Sequence, residues 1–187
     1  MKMLRIAAGS SLGLALLVGG VLAAGSLKSG PQVGDEVPGP FHPLNVTGPD
    51  AGEKVCLYCK NGAHPVAMVF ARECNPTVTK LIKQIDKATA QHSDAKMGSF
   101  VVFLTEDENM PKRLKKVADK EGIAHTVLAV QEPSGPAGYD VAKDADVTVV
   151  LYTRHTVKAN YAFKKGDLKD GDINRIVGDV SKILPRE

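Results

Sequence analysis

Three cysteines within one short region carry the most distinctive chemistry of this 187-residue chain. Cys56 and Cys59 have the C-x-x-C spacing, which allows two thiols to form a local disulfide. Cys74 follows an apolar run and precedes Asn75-Pro76, a helix N-cap and a favoured first helical residue. The unpaired amides at a helix start stabilise a thiolate, so Cys74 is a candidate nucleophile.

The sequence leaves three interpretations of the C-x-x-C pair open. The two thiols could shuttle between dithiol and disulfide, or they could form a passive structural disulfide. With His64 and His42 they could instead bind zinc or copper, which thiolates and imidazoles ligate well. Haem attachment is excluded, because Lys60 rather than histidine follows the second cysteine. The pair is expected on a short strand or hairpin arm at 55–58, not at a helix start.

Residues 1–24 are typical of an export signal. Lys2 and Arg5 form a charged start, residues 12–22 are apolar, and small residues around Ala24 would permit cleavage. The apolar stretch is shorter than the roughly 20 residues that favour a membrane span, so cleavage is favoured over retention. Membrane contact is therefore expected only through an uncleaved signal. Export would place the chain in an oxidising periplasmic or extracellular compartment, where disulfides form.

The composition argues against nucleic acid as a partner, and no motif indicates a bound cofactor. The 24 Lys and Arg residues fall to 22 without the two in the signal, against 21 Asp and Glu, so the mature charge is near neutral. Aromatic residues make up 5% of the chain and tryptophan is absent, so no surface for stacking bases is indicated. No nucleotide-binding glycine loop, Ser-His-Asp order or pair of catalytic carboxylates is present.

Apolar runs that alternate with amphipathic segments predict one α/β domain. Residues 25–40 are rich in glycine and proline and are expected to be a linker, which leaves 41–187 for the domain. Strands are predicted at 41–46, 66–72, 99–105, 125–131, 147–153 and 157–163, and helices at 76–91, 111–121 and 172–184. Strands that alternate with helices pair in parallel, and the closing hairpin adds antiparallel strands. A mixed central sheet with helices on both faces is expected.

This order of elements, with a cysteine at a helix start and a hairpin before the last helix, resembles the thioredoxin superfamily over about residues 33–184. The chain is more narrowly similar to exported thiol-disulfide reductases and peroxiredoxins. Those proteins have an opening segment like 33–41 and an extra strand like 125–131. The resemblance implies a thioredoxin-like fold with an N-terminal β extension, and protein thiols and disulfides as partners.

The chain departs from the thioredoxin pattern at three positions. Thr77 stands where the second cysteine of the family's helix-start C-x-x-C would be, Glu73 replaces a tryptophan, and Val147 replaces a cis-proline. With Thr77 as its partner position, Cys74 could form a mixed disulfide but could not resolve it locally. Thr77 could donate a hydrogen bond to the Cys74 sulfur.

Two main functions follow from these residues. In the first, Cys56 and Cys59 perform thiol-disulfide exchange and Cys74, with Thr77, is an auxiliary nucleophile. In the second, the domain is a non-catalytic binding or scaffold module with a structural disulfide, and metal binding is a further alternative. The strand 66–72 spans roughly 23 Å, so the pair is expected at the end of the sheet away from Cys74. Direct relay between the two sites would then need motion or a partner protein.

Overall fold

The computed structural model describes residues 27–185, which form a six-stranded mixed sheet with the strand order β1-β4-β3-β2-β5-β6. The central strands β2, β3 and β4 are parallel, whereas β5 and β6 are antiparallel to their neighbours and β1 is antiparallel to β4. The strands are β1 (Leu44–Asn45), β2 (Val66–Ala71), β3 (Gly98–Leu104), β4 (Thr126–Gln131), β5 (Val147–Thr153) and β6 (Thr156–Phe163). The helices are α1 (Leu57–Asn61), α2 (Pro76–Gln91), α3 (Met110–Glu121) and α4 (Asp170–Gly178), with 3₁₀ turns at Ser93–Ala95 and Asp179–Lys182.

Helix α2 begins as its sequence predicts. The Asn75 side chain accepts a hydrogen bond from the Val78 amide at 3.0 Å, and Pro76 occupies the first helical position. The apolar stripe of α2 is fully buried and consists of Val78, Leu81, Ile82 and Ile85. The last predicted helix differs more, because α4 begins at Asp170 and its continuation tightens into a 3₁₀ turn at Asp179.

The three long helices, α2, α3 and α4, pack on one face of the sheet through a single hydrophobic cluster. The second face is covered by α1 and by irregular segments, which contribute Leu57, Val37, Phe41 and Tyr139. The predicted mixed sheet flanked by helices is therefore confirmed, with the short helix α1 alone on the second face of the described domain.

The glycine- and proline-rich segment expected to be a linker packs on the domain from Ser29 onward. Ser29 is 1% exposed and its hydroxyl hydrogen-bonds to the Thr148 hydroxyl at 2.6 Å. Val37 is also buried, and Glu36 forms an isolated bridge with Thr156 of β6. Glycine and proline here mark turns in an ordered segment, so the domain begins earlier than residue 41.

The predicted export signal at 1–24 lies outside the residues that the structure describes. Among residues 27–185, no helix has the length and apolar character needed to cross a membrane.

Candidate functional site

The C-x-x-C pair lies at a helix start, contrary to the strand predicted at 55–58. Cys56 is the N-cap of α1, and its sulfur accepts a hydrogen bond from the Cys59 amide at 3.0 Å. Helix α1 ends at Gly62, which has a φ of 51°. The sequence signal for this helix was the Asn61-Gly62 pair, because glycine often terminates a helix in the left-handed region.

Cys56 and Cys59 form a disulfide, with 2.08 Å between their sulfur atoms and 5.2 Å between their Cα atoms. The two cysteines differ in accessibility, since Cys56 is only 7% exposed and Cys59 is exposed. An incoming thiolate would therefore reach Cys59 first, and Cys56 would leave as a thiolate. The amide hydrogen bond that already points to the Cys56 sulfur would stabilise that negative charge.

The metal-binding interpretation gains no support from the geometry. The sulfurs of Cys56 and Cys59 are bonded to each other, and His42 and His64 are both exposed. Within residues 27–185, no group of three or more His, Cys, Asp or Glu side chains is arranged to hold a metal ion.

Contacts from three parts of the chain hold α1 in place. Leu57 is buried in the cluster on the second face of the sheet, and Lys60 forms an ion pair with Asp50. The Asn61 side chain donates a hydrogen bond to the Leu57 carbonyl at 2.8 Å. Asn61 also packs so tightly on the start of β3 that a Cβ at Gly98 would lie 1.8 Å from its side-chain oxygen.

The tip of the β5–β6 hairpin is the fourth support of α1. The His155 ring stacks on the Tyr58 ring, with 4.8 Å between the centroids and 30° between the planes. The Arg154 amide donates a hydrogen bond to the carbonyl of Ala63, just after α1, at 3.1 Å. His155 lies in the turn between the predicted strands 147–153 and 157–163, as those bounds imply, but the sequence could not show that this turn contacts Tyr58.

Cys74 and the C-x-x-C pair lie at opposite ends of the sheet, as predicted. Helix α1 packs near the start of β3 through Asn61, and β2 begins at Val66 shortly after it. Cys74 follows the other end of β2, a strand of six residues that spans about 20 Å. The two sites also use different faces, because Leu57 and Cys74 pack against different hydrophobic clusters.

Cys74 is half-buried and lines a groove of about 620 Å³ between α2 and α3. Four basic residues line this groove: Lys80, Lys83, Arg113 and Lys120. Burial raises the pKa of the Cys74 thiol, and a hydrogen bond with the Thr79 side chain and the charge of Arg113 only partly oppose it. The lower pKa expected from the helix start is therefore not found, because desolvation outweighs the favourable terms.

Thr79, rather than Thr77, provides the side-chain hydrogen bond that lowers the pKa of the Cys74 thiol. Two residues along a helix rotate by about 200°, so Thr77 and Thr79 face nearly opposite directions. Thr77 instead lines a second cavity of about 620 Å³, together with Val147 at the position of the family's cis-proline. Residues 27–185 contain no cis peptide bond.

Asp146, which no sequence motif marks, also lines the second cavity. It is 9% exposed, and burial raises the pKa of its carboxyl group, with a further contribution from the negative charge of Glu73. Lys165 and Arg72 oppose this increase in pKa, and Lys165 forms an ion pair with Glu73. Asp146 follows a loop that contains two prolines, and nothing in that sequence predicts that its carboxyl group is buried.

No protein-family model matches the sequence, and no curated protein matches it. Its structure is similar to that of a proposed protein disulfide isomerase of Bacteroides thetaiotaomicron, with 15% identity and a TM-score of 0.63 over 84% of this chain and 94% of the other. A DsbF homologue of Corynebacterium diphtheriae is 10% identical, with a TM-score of 0.61 over 84% and 95% of the two chains. A reduced 2-Cys peroxiredoxin of Plasmodium vivax is 19% identical, with a TM-score of 0.58 over 81% and 82%. Together with the strand order, these likenesses show that the chain has a thioredoxin-like fold.

Proposed function

We propose that this protein performs thiol-disulfide exchange with protein partners through Cys56 and Cys59. The observation that supports the proposal most strongly is the asymmetry of the pair. Cys59 is exposed, whereas Cys56 is buried and accepts an amide hydrogen bond at a helix start. A partner would reach the exposed Cys59, and the amide hydrogen bond would stabilise Cys56 as a leaving group or resolving thiolate.

The reduced pair would transfer two electrons to a partner disulfide in two steps. The Cys59 thiolate attacks one partner sulfur, which forms a mixed disulfide and releases the other partner sulfur as a thiolate. The Cys56 thiolate then attacks the Cys59 sulfur, closes the Cys56–Cys59 disulfide and releases the second partner thiolate. The same steps in reverse oxidise a partner dithiol and reduce the pair.

Cys74 is proposed as an auxiliary thiol that forms mixed disulfides separately from the pair. Its position at the α2 start, beside basic Arg113, supports this role, while its raised pKa lowers the fraction of reactive thiolate at neutral pH. Thr77 is proposed to contact a bound partner in the second cavity beside Val147, rather than to act on the Cys74 sulfur.

Insulin-disulfide reduction by the mature protein tests the proposal. The wild type and Cys74→Ser are expected to accelerate the reaction, whereas Cys56→Ser and Cys59→Ser are expected to be at background. Cys56→Ser should trap a mixed disulfide on Cys59, because the resolving thiol is absent, and Cys59→Ser should trap much less. Background rates in the wild type would remove the proposal.

A non-catalytic module with a structural disulfide is the second candidate. It is favoured by Thr77, Glu73 and Val147, which replace the cysteine, tryptophan and cis-proline of the resembling family. This candidate predicts a pair that does not exchange with glutathione buffers, because structural disulfides are much more reducing than that pool. Titration of the pair against reduced and oxidised glutathione separates the two functions.

Export with cleavage near Ala24 is also proposed. Such cleavage would leave the whole packed segment from Ser29 onward intact. N-terminal sequencing of the protein from the periplasmic or culture-medium fraction tests this, and a full-length protein that begins at Met1 in the cytosolic fraction would contradict it.

A further inference from the structure

We propose that His155 is a positioning residue for the Cys56–Cys59 pair. Its ring, stacked on Tyr58, would hold α1 in place when the pair is reduced and so keep the two thiols close enough to re-form the disulfide. The inference rests on the proposed exchange activity. It names a residue that shifts the equilibrium between the reduced and the disulfide-bonded pair.

Helix α1 needs such a support because it has only five residues. Isolated helices shorter than about 12–15 residues are marginal in water, since each helix must first form a costly nucleus. In the oxidised protein the disulfide ties the first turn of α1 together. After reduction, only non-covalent contacts keep Cys56 and Cys59 in one turn.

The hairpin tip supports Tyr58, one of the two residues between the cysteines, and the other, Leu57, is buried in the second-face cluster. Tyr58 stands between the two cysteines, so a fixed Tyr58 ring restricts the backbone on both sides of it. Arg154 fixes the segment just after α1 through the backbone hydrogen bond to Ala63, and the His155 carbonyl accepts a hydrogen bond from Val37 at 2.8 Å. The tip is therefore anchored on two sides and is able to hold the Tyr58 ring.

The backbone of the tip gives independent support. Arg154 and His155 have φ values of 50° and 62°, in the left-handed region where a two-residue hairpin favours Asn-Gly. Two residues with large side chains occupy these positions instead. The stack on Tyr58 gives the His155 side chain a structural role that glycine could not fill.

Loss of the stack should make the disulfide easier to reduce. Two glutathione thiols supply the two electrons that reduce the pair and become glutathione disulfide. Without the His155 ring, the reduced α1 would open and separate its thiols, whereas the oxidised α1 would still be held by its disulfide. The equilibrium constant for forming the Cys56–Cys59 disulfide should therefore fall.

The experiment compares wild-type mature protein with His155→Asn and His155→Phe in glutathione redox titrations. Asparagine tolerates the left-handed backbone but has no ring to stack, while phenylalanine retains a ring. We expect the equilibrium constant to fall about three- to tenfold in His155→Asn and to stay within about twofold of wild type in His155→Phe. His125→Asn is the matched control, because His125 is exposed at the start of β4.

A second pair of variants keeps the test decisive if His155→Asn folds poorly. Tyr58→Ala removes the other ring together with its packing on the second-face cluster, so it should lower the constant at least as much. Adding His155→Asn to Tyr58→Ala should change the constant little, because the stack is already lost. A constant unchanged in His155→Asn, or lowered equally in His155→Phe, would overturn the inference while leaving exchange intact. Failure of the wild-type pair to equilibrate with glutathione would instead remove the proposed function.

Discussion

The three sulfur atoms of the chain lie in very different surroundings, and these determine how each one would react. Cys59 is exposed, Cys56 is buried but accepts an amide hydrogen bond, and Cys74 is half-buried in a basic groove. A thiolate is favoured by hydrogen bonds and positive charge and disfavoured by burial. In the proposed exchange, accessibility would therefore favour attack at Cys59, and the amide hydrogen bond would offset part of the cost of burying a thiolate on Cys56.

Substitution at Thr79 should affect Cys74, whereas substitution at Thr77 should not. The Thr79 side chain lowers the pKa of the half-buried thiol, so Thr79→Val should raise that pKa further and slow alkylation at neutral pH by roughly two- to tenfold. The rate of iodoacetamide modification between pH 6 and pH 10 measures this in the oxidised protein, where Cys74 is the free thiol.

Thr77→Val is the matched control for this measurement, since Thr77 lines the second cavity and not the groove at Cys74. An effect of Thr77→Val that equals or exceeds that of Thr79→Val would contradict the assignment and restore the role first expected of Thr77.

Two buried tyrosines offer a matched test of hydrogen bonding in the second cluster. The Tyr139 hydroxyl donates a hydrogen bond to the Gly39 carbonyl at 2.5 Å, whereas the buried Tyr152 hydroxyl has no partner within residues 27–185. We expect Tyr139→Phe to lower the free energy of unfolding by about 1 kcal/mol, and Tyr152→Phe to leave it unchanged or raise it by up to about 1 kcal/mol. Urea denaturation measures both changes, and a loss in Tyr152→Phe as large as that in Tyr139→Phe would show that the Tyr152 hydroxyl is bonded.

At the scale of elements, the sequence predicted the long helices and the buried strands because their apolar periodicity is strong. Helix α2 shows this best, since its Asn75 cap and its buried stripe were both evident from the sequence. Helix α1 was missed because five residues contain too little periodicity to distinguish a helix from a strand. The stack of Tyr58 on His155 joins residues far apart in the chain, so only the folded sheet could show it.

The contact between α1 and β3 should be sensitive to one added methyl group. In Gly98→Ala, the new Cβ would meet the Asn61 side-chain oxygen at 1.8 Å, so Asn61 must rotate and lose its hydrogen bond to Leu57. We expect a loss of about 1 kcal/mol in the free energy of unfolding, within the usual range for one hydrogen bond. Thermal or urea unfolding of the oxidised protein measures it.

Gly171→Ala is the control for Gly98→Ala. Gly171 lies in helix α4, and a Cβ at Gly171 would meet no atom within 4 Å. It should be neutral or stabilising by up to about 1 kcal/mol, as alanine is the better helix former. The cost of Gly98→Ala should also disappear in an Asn61→Ala background, and a cost that persists there would show that the clash involves other atoms.

At the scale of the whole molecule, the sheet separates the two thiol sites. Helix α1, which carries the pair, packs through Leu57 on the cluster of one face, near the start of β3, and Cys74 packs on the other face, at the far end of β2. The strand between them is about 20 Å long, so electrons cannot pass between the sites by direct sulfur contact. The two sites would therefore react independently, or exchange through a partner that visits both.

The pH dependence of folding should reveal the buried carboxyl group beside the second cavity. Burial and the charge of Glu73 raise the pKa of Asp146 in the folded protein, so the native state keeps this proton to a higher pH than the unfolded chain. The resulting contribution to stability is present below the unfolded pKa and is lost as pH rises through the folded pKa. Asp146→Asn should thus be more stable than wild type at pH 7, and the difference should shrink as the pH falls toward 3.5.

Urea unfolding across that range measures this difference in stability, with Asp144→Asn as the control because Asp144 is exposed and pairs with Lys164. A wild type that gains stability relative to Asp146→Asn as pH rises would mean that the carboxylate form is favoured in the fold, and that Lys165 and Arg72 outweigh burial.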